Sequence, residues 1–211
     1  PVDDVIYKLC ILSSFYMDPI IPPELRTERL QLRRYQETDA PDFLNLLLTN
    51  QSRLSLAFPG RVEMNQKLEN AEYFVRQMRA DWQYKKVFEF GIWLLETQKY
   101  IGDIALKNLE RRVPKAEIGY YLDATAEGKG LASEALRAIT KFGFETVGVN
   151  KIFIKMPVQN ERSYRLAERC GYIREGLLRQ DFRSDKNTGL VDVYYYGMTR
   201  NDFQNFFYSE M

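Results

Sequence analysis

The order of strand-like and helix-like runs along the chain is the feature that most limits its fold. Alternating apolar residues predict strands, as in "ERLQLRRY" at 28–35, whereas apolar residues at helical spacing predict helices. The order is β-α-α-β-β-β-α-β-α-β-β, without an internal repeat. Because this order mixes hairpin and crossover connections, we expect the α+β class, with a central mixed, mostly antiparallel sheet of about seven strands flanked by helices.

The predicted elements have defined ends. Strands are predicted at 28–35, 88–96, 99–110, 116–123, 151–160, 172–184 and 190–200, and helices at 38–50, 68–86, 133–148 and 161–171. The first helix has Thr38 or Asp39 as its N-cap and Pro41 in its first turn, where the missing N–H costs least. A long loop is expected at 50–66. Three of its side chains are candidate substrate contacts: Arg53, Phe58 and Arg61.

Composition limits the chemistry. The 30 Lys and Arg residues against 29 Asp and Glu leave a formal net charge of +1, which favours neither nucleic acid nor a membrane surface as a partner. The chain has no histidine, which removes the usual general base, the Ser-His-Asp arrangement and most imidazole metal sites. Cys10 and Cys170 are far apart and lack metal-ligand spacing, so we expect no disulfide framework, no metal site and a cytoplasmic location.

The N-terminal segment is apolar but short. At 211 residues the chain is expected to form one domain. The run "VIYKLCILSSFYM" at 5–17 contains Lys8 and is shorter than the roughly 20 residues of a membrane span. Asp3 and Asp4 precede it where a signal peptide carries bases, so neither an anchor nor a signal is favoured. Because Met17 opens "MDPIIPPELRTERL", residues 1–16 are interpreted as an upstream extension or a non-native remnant.

Residues 127–136, "EGKGLASEAL", place two glycines directly before a helix. Gly128 and Gly130 permit a left-handed backbone and remove side chains that would keep a ligand from the main chain. The exposed N–H groups at the helix N-terminus would bind a pyrophosphate or another anion. The spacing matches neither the Rossmann nor the P-loop motif, and a glycine-rich turn leading into a helix is the structural alternative.

A second polar motif follows the next strand. Asn160 and Ser163 open a predicted helix that Gly171 ends. Taken alone, the pair is ordinary helix capping. Together with the glycine loop, one strand and one helix upstream, it forms a more specific pattern.

The two motifs together resemble those of the GNAT superfamily of acetyl-CoA-dependent N-acetyltransferases. The family's glycine motif reads here as Glu127-Gly128-Lys129-Gly130-Leu131-Ala132, and its Asn-x-x-Ser motif as Asn160-Glu161-Arg162-Ser163. The stretches "TERLQLRRYQETDA", "KAEIGYYLD" and "GYIREGLLRQ" resemble the branch that acetylates ribosomal-protein N-termini at alanine or serine. The likeness extends from residue 26 to residue 200. The expected organisation is therefore an N-terminal extension at 1–25 and a single GNAT N-acetyltransferase domain at 26–211.

The resemblance implies direct transfer of an acetyl group from acetyl-CoA, the co-substrate, to an amine. Because "KAEIGYY" is similar to the Ala-Glu-Ile context of a catalytic glutamate in histone acetyltransferases, Glu117 is implied as the general base. The alternative is a sheet residue paired with a nearby Lys or Arg, and Asp181 is a second carboxylate candidate. Ser163 is implied as the hydrogen-bond donor to the departing CoA sulfur. The alternative donors are Tyr164, Tyr194, Tyr195 and Tyr196.

The resemblance also implies a set of acetyl-CoA-binding residues and no metal. The set is Ile118, Gly119, Tyr120, Gly128, Lys129, Gly130, Leu131, Ala132, Ser133, Asn160 and Ser163. Loop N–H groups would bind the pyrophosphate, and a backbone N–H of "EIGYY" would hold the acetyl oxygen. Glu127 departs from the family's Gln or Arg, and because a carboxylate facing a pyrophosphate is repelled, we expect it to point outward. Lys129 is either an additional cation for the pyrophosphate or a solvated loop residue.

The acceptor is open on the sequence alone. The resemblance favours the N-terminal α-amine of a protein such as a ribosomal protein, and the alternative is a small amine such as a polyamine or an aminoglycoside. A non-catalytic acyl-CoA-binding sensor or interaction module is the second class of function. Cys170 is disfavoured as a covalent nucleophile, because no histidine activates it and its place before Gly171 indicates packing. The aromatic tail "FQNFFY" predicts either a homodimer contact or packing within the chain.

Overall fold

One sheet organises the chain. The structure, a computed structural model, describes residues 20–185 and 189–209, which form eight strands and seven α-helices. The strands are β1 (Glu24–Arg26), β2 (Leu30–Arg33), β3 (Phe88–Leu94), β4 (Tyr100–Glu110), β5 (Lys115–Leu122), β6 (Lys151–Pro157), β7 (Ile173–Asp185) and β8 (Gly189–Thr199). The helices are α1 (Ala40–Thr49), α2 (Gln51–Ala57), α3 (Pro59–Met64), α4 (Leu68–Gln83), α5 (Leu131–Lys141), α6 (Glu161–Arg169) and α7 (Arg200–Tyr208). The expectations about residues 1–19 concern a segment outside the described residues.

The sheet is mixed and mostly antiparallel, which confirms the expected α+β class. Its strand order is β1-β2-β3-β4-β5-β6-β8-β7, and β5 and β6 are its parallel pair. That pair is short, because its register joins only residues 115–117 to residues 151–153. Beyond Glu117 and Phe153, each strand keeps its antiparallel neighbour while the two strands separate from one another. The sheet therefore opens at its centre.

β1 is a strand that the apolar pattern did not predict. Its three residues pair with β2, with Leu25 opposite Leu32. A strand of three residues is too short to show a period of two. Because residues 24 and 25 belong to the segment expected to precede the domain, the sheet begins before residue 26.

The expected loop at 50–66 is instead helical, and that prediction was wrong. The stretch forms α2 and α3, whose Leu54 and Val62 are buried against the helices around them. The Pro59-Gly60 pair ordinarily indicates a turn, which obscured the helical spacing on either side of it. In the structure Pro59 instead occupies the first turn of α3, where its missing N–H costs little.

The first predicted helix has its expected start. α1 follows Asp39 at the N-cap and has proline in its first turn. The Asp39 carboxylate does not cap the helix, because it accepts from the Arg33 guanidinium at 2.7 Å and from the Gln36 N–H at 2.7 Å. Asp39 thereby fastens the helix start to β2.

Apolar side chains pack in two clusters. One joins Leu30 and Leu32 of β2 to the region of α5, and the other joins α1 to α4 through residues such as Phe43 and Val75. α5 continues as a π-helical turn, Phe142–Val147, before a left-handed glycine at 148, so the predicted helix end is confirmed.

The aromatic tail forms α7 and packs within the chain. Phe203 is buried and stacks on Phe144 with 4.6 Å between ring centroids. Phe206 lies against Gly171, where an added Cβ would approach its ring to 2.6 Å. Gly171 has a φ of +85°, so both backbone geometry and this contact favour glycine at the end of α6. Among the helices of the described ranges, none has the length and apolar character of a membrane span.

Candidate active site

A cleft opens where β5 and β6 separate. Its volume is about 430 Å³, and it is partly open to solvent. Six of the predicted site residues line it: Glu117, Ile118, Gly119, Tyr120, Asn160 and Ser163. The opposite wall comes from the outer half of β6, including Ile154 and Met156. The geometry thus brings the predicted carboxylate and the predicted hydroxyl into one cavity.

Glu117 is held by two neighbours that the sequence reasoning missed. Its carboxylate accepts from Asn108 Nδ2 at 2.8 Å, and its other oxygen lies 3.4 Å from Lys107 Nζ. Asn108 has a φ of +50° at a register shift in β4, which turns its amide toward β5. Glu117 is only 8% exposed, yet it borders the cleft. Glu117 therefore has the position in the cleft that a general base requires, and it also has the lysine neighbour that the structural alternative predicts.

Ser163 forms a hydroxyl pair with Tyr120 across the cleft wall. The two oxygens are 2.8 Å apart, and Asn160 Oδ1 accepts from the Ser163 N–H at 3.2 Å. Asn160 is therefore the N-cap of α6, and it fixes the first turn that presents Ser163. Burial raises the pKa of Tyr120, so this phenol stays protonated and able to donate near neutral pH.

The alternative donors lie elsewhere. Tyr196 donates to Glu168 at 2.7 Å, Tyr195 stacks on Phe153, and Tyr164 packs edge-on against Tyr194. The residues that line the cleft in the described part of the chain include none of these four tyrosines. Their contacts match the packing role of an aromatic strand.

Asp181, the second carboxylate candidate, does border the cleft. Its Oδ2 lies 3.2 Å from Lys155 Nζ, and both side chains are partly exposed. Three cationic and two anionic side chains thus line the cleft within the described ranges: Arg61, Lys107, Lys155, Glu117 and Asp181.

The glycine loop lies at the N-terminus of α5, outside the cleft lining. Gly128 and Gly130 have φ values of +74° and +77°, which confirms the left-handed backbone predicted for them. The N–H groups of both glycines have no hydrogen-bond acceptor in the described ranges. The first-turn N–H groups of Leu131, Ala132 and Ser133 also lack intrahelical acceptors by helix geometry. The loop is thus a row of available donors.

Two cationic side chains hydrogen-bond to the backbone of the glycine loop and of the turn before it, and so stabilise the conformation of the loop. Lys129 Nζ donates to the Thr125 carbonyl at 2.9 Å, so its ammonium caps the preceding turn. Arg29 donates to the Lys129 carbonyl at 2.9 Å and pairs with Glu134 at 2.7 Å. These contacts hold the loop against β2 and α5.

Glu127 joins two arginines from different helices. One carboxylate oxygen pairs with Arg53 of α2 at 2.6 Å, and the other accepts from Arg162 of α6. Arg53 also donates to Asn50 at 3.0 Å and to the Leu122 carbonyl. The Arg53 Nε is buried and has no acceptor among the described residues. Glu127 therefore holds two arginine side chains next to the glycine loop and neutralises part of their charge.

Of the three candidate substrate contacts in the 50–66 stretch, Phe58 and Arg61 line the cleft and Arg53 does not. The Arg61 guanidinium is engaged beneath the cleft, at 2.6 Å from Glu89 and 3.1 Å from Asp103. Both carboxylates are almost fully buried, so Arg61 offsets their charge and anchors α3 to the sheet. Only Phe58 is free to present its surface to a ligand without breaking an ion pair.

Cys170 occupies the C-cap of α6 and is buried. Burial raises the pKa of its thiol, and its Sγ lies 3.8 Å from the Ser133 carbonyl. A buried thiol with a raised pKa is a poor nucleophile, which agrees with the expected packing role. The described residues contain no group of three or more potential metal-ligating side chains.

Comparison with known proteins gives one consistent match. Residues 29–173 match the family described as Acetyltransferase (GNAT) domain. YokL, an uncharacterized N-acetyltransferase derived from the SPbeta prophage of Bacillus subtilis (strain 168), is 30% identical over 84% of this chain and 93% of its own length. The ribosomal-protein-serine acetyltransferase of Escherichia coli (strain K12) is 29% identical over 75% of this chain and 88% of its own length. RimL, a ribosomal L7/L12 alpha-N-protein acetyltransferase solved with coenzyme A, shares the fold with a TM-score of 0.76 at 24% identity, over 85% of this chain and 97% of RimL.

Proposed function

Because the chain belongs to the GNAT acetyltransferase family, we propose that it transfers an acetyl group from acetyl-CoA to the N-terminal α-amine of a protein, such as a ribosomal protein. The observation that carries this proposal is the cleft between β5 and β6, which has Glu117 and the Ser163–Tyr120 hydroxyl pair on its walls. The Escherichia coli relative and RimL, both named for ribosomal-protein acetylation, support the choice of acceptor. We also place the reaction in the cytoplasm, on the cysteine content of the sequence.

The residues at the glycine loop fit acetyl-CoA. The available N–H groups of Gly128 and Gly130 lie at a helix N-terminus, where an anion is favoured. The largely exposed Arg162 adds a cationic donor beside that loop. Bound there, acetyl-CoA would supply an activated acetyl thioester to the cleft. Ile118, Gly119 and Tyr120, on the separated part of β5, would contact the acyl end.

Three residues have roles in the transfer itself. The Glu117 carboxylate, oriented by Asn108, would accept the proton that an ammonium must lose before it can attack. The Ser163 hydroxyl, with Tyr120 as its partner, would donate a hydrogen bond to the sulfur as negative charge develops on it. Each group is held by a second protein group, which favours a fixed geometry before the substrate binds.

The charge of the cleft favours a peptide over a polyamine. Both carboxylates of the cleft already have lysine partners, Lys107 for Glu117 and Lys155 for Asp181. A polycation requires an excess of negative charge, whereas an α-amine brings a single positive charge. Phe58 offers an apolar surface at the cleft for a peptide side chain.

Matched acceptors test the proposal. Purified protein is mixed with acetyl-CoA and one peptide in two forms, one with a free N-terminus and one with a blocked N-terminus, both containing an internal lysine. Free thiol release and product mass are followed together, with spermidine as the small-amine comparison. We expect acetylation of the free α-amine form alone. Turnover on spermidine alone would support the small-amine alternative, and tight acetyl-CoA binding without turnover on any acceptor would support the sensor alternative.

A further inference from the structure

Lys107 occupies the place in the cleft where an acceptor amine would be expected. It lies directly opposite Glu117 across the β4–β5 pair, and its Nζ is 3.4 Å from the Glu117 carboxylate. Its Cε and Nζ both lie 3.3 Å from the position of a Cβ on Gly119. Gly119 belongs to the strand segment assigned above to the acyl end of acetyl-CoA. The absence of a side chain there therefore leaves room for the lysine above that segment.

The partners of Glu117 leave it able to serve this lysine. Asn108 engages one carboxylate oxygen at 2.8 Å, and the other oxygen faces Lys107. The separation from Lys107 is longer than a good charge-assisted hydrogen bond, so the ammonium is near the base without being tightly bound to it. The Lys107 side chain is 36% exposed, which leaves it free to change rotamer.

We propose that Lys107 is a site of self-acetylation, a reaction that rests on the proposed use of acetyl-CoA. The Lys107 ammonium transfers a proton to Glu117, directly or through water, and the freed Nζ attacks the thioester carbonyl. A C–N bond forms and the C–S bond breaks, with the Ser163–Tyr120 pair donating to the departing sulfur. The products are Nε-acetyl-lysine, CoA thiol and one proton released to solvent.

The modification changes the site that performs it. An acetylated lysine has no charge, so it no longer pairs with Glu117. The carboxylate oxygen that faced Lys107 then becomes available to an external ammonium. Self-acetylation would thus convert a cleft occupied by its own amine into one open to an acceptor.

Lys155 provides the matched reference within the same molecule. It lines the same cleft, its Nζ is 3.2 Å from Asp181, and its exposure is similar at 35%. The full chain is incubated with isotopically labelled acetyl-CoA without acceptor, and label at each lysine is followed by peptide mass spectrometry. We expect Lys107 to be labelled at least about tenfold faster than Lys155, at a rate independent of protein concentration, because the reaction is intramolecular. Glu117→Gln should slow labelling at Lys107 and leave Lys155 unchanged.

Three comparisons can overturn the proposal. The first is labelling of Lys107 and Lys155 at equal rates in the folded protein, as in a urea-unfolded sample. That result would mean that Lys107 reacts with acetyl-CoA as any exposed lysine does, without help from the cleft. Transfer to a free α-amine peptide in parallel samples, with Lys107 unlabelled, would overturn self-acetylation and leave the proposed function standing. Absence of both acetyl-CoA binding and transfer would overturn the two together.

Discussion

At the residue scale, Ser163 combines two functions that are usually separate. Its N–H is capped by Asn160, which fixes the first turn of α6, and its hydroxyl faces Tyr120 in the cleft. The backbone contact does not depend on the hydroxyl. Removal of the hydroxyl should therefore affect chemistry without loosening the helix.

We predict that Ser163→Ala lowers kcat by about 10- to 100-fold, because a hydrogen bond to developing negative charge is lost. The affinity for acetyl-CoA should change by less than about threefold, since the ground-state thioester carries no charge on sulfur. Steady-state kinetics and equilibrium binding of acetyl-CoA measure the two effects. An unchanged kcat would remove Ser163 from the mechanism.

A second hydroxyl pair serves as the control for this variant. Thr140 and Tyr172 have hydroxyl oxygens 2.7 Å apart in a buried position away from the cleft lining. Thr140→Ala leaves a buried phenol without that partner and should cost about 1–3 kcal/mol of unfolding free energy. It should leave kcat unchanged, which separates the loss of a hydroxyl pair from the loss of catalysis.

The sequence could point to some of these residues and not to others. Glu117, Asn160 and Ser163 were identified from motifs, and all three line the cleft. No sequence pattern identified Lys107 and Asn108 as neighbours of Glu117. Their placement depends on a register shift in β4 and on a left-handed backbone at Asn108, a non-glycine residue. A period-two pattern carries no information on where such an irregularity falls.

At the element scale, the glycine loop can be tested at one position with two isosteric side chains. Gly128 has a left-handed backbone, and an added Cβ would meet no atom within 4 Å. Asn tolerates this backbone conformation and is neutral, whereas Asp has the same shape and carries a negative charge. We predict that Gly128→Asp weakens acetyl-CoA binding by about tenfold or more relative to Gly128→Asn, through repulsion of the pyrophosphate.

Isothermal titration at two salt concentrations measures this difference, which should shrink as salt rises. Both variants should unfold at similar denaturant concentrations, because they share the same backbone strain. Equal affinities in the two folded variants would contradict the assignment of the loop to the pyrophosphate.

Glu127 offers a second test of the same element. Its carboxylate neutralises part of the charge of Arg53 and Arg162 beside the loop. We predict that Glu127→Gln, which removes the negative charge and keeps the shape of the side chain, tightens acetyl-CoA binding by about threefold at low salt. Weaker binding would instead show that Glu127 is needed to hold the arginines in place, and Arg162→Ala, expected to weaken binding, provides the comparison.

The elements themselves were mostly predictable, and the exceptions have physical reasons. The predicted runs at 88–96, 99–110 and 116–123 correspond to β3, β4 and β5, because apolar alternation and short turns bound them. α2 and α3 were missed, because both are short and they meet at a Pro-Gly pair, which ordinarily indicates a turn. Burial of one leucine and one valine against other helices, a tertiary effect, stabilises them.

At the scale of the whole molecule, a buried network connects the helices to the sheet. Asp103 accepts hydrogen bonds from Tyr35, Tyr100 and Tyr121 and pairs with Arg61. Burial, together with nearby Glu89, raises its pKa from the ordinary 3.8 to about 6, although Arg61 opposes the shift. Near pH 6 and above, the folded state therefore contains a buried, ionised Asp103, whose desolvation lowers the free energy of unfolding.

The sign of the resulting pH dependence follows from proton binding. Between pH 3.8 and about 6 the folded state binds more protons at Asp103 than the unfolded state, so this contribution to stability falls as pH rises and is constant above about 6. We predict that the unfolding free energy of the wild type minus that of Asp103→Asn decreases over this window. Urea unfolding at a series of pH values measures it, and a difference that rises with pH would contradict the assignment.

The class of the fold could be predicted from element order, but the opening of the sheet could not. Strand order depends on which distant runs pair, and β5 and β6 are separated by a glycine loop and α5. Their pairing stops after three residues, a length that no local pattern encodes. The residues of either strand alone therefore did not indicate where the sheet opens.

The three-residue contact between β5 and β6 divides the sheet into two halves, β1 to β5 on one side and β6, β8 and β7 on the other. Beyond this contact, the facing backbones of β5 and β6 resemble exposed sheet edges, which can hydrogen-bond to any chain with amide groups. A cofactor with amide linkages, bound between β5 and β6, would act as an additional strand and connect the two halves. Occupancy of the cleft would then set the mechanical stiffness of the molecule as well as its chemistry.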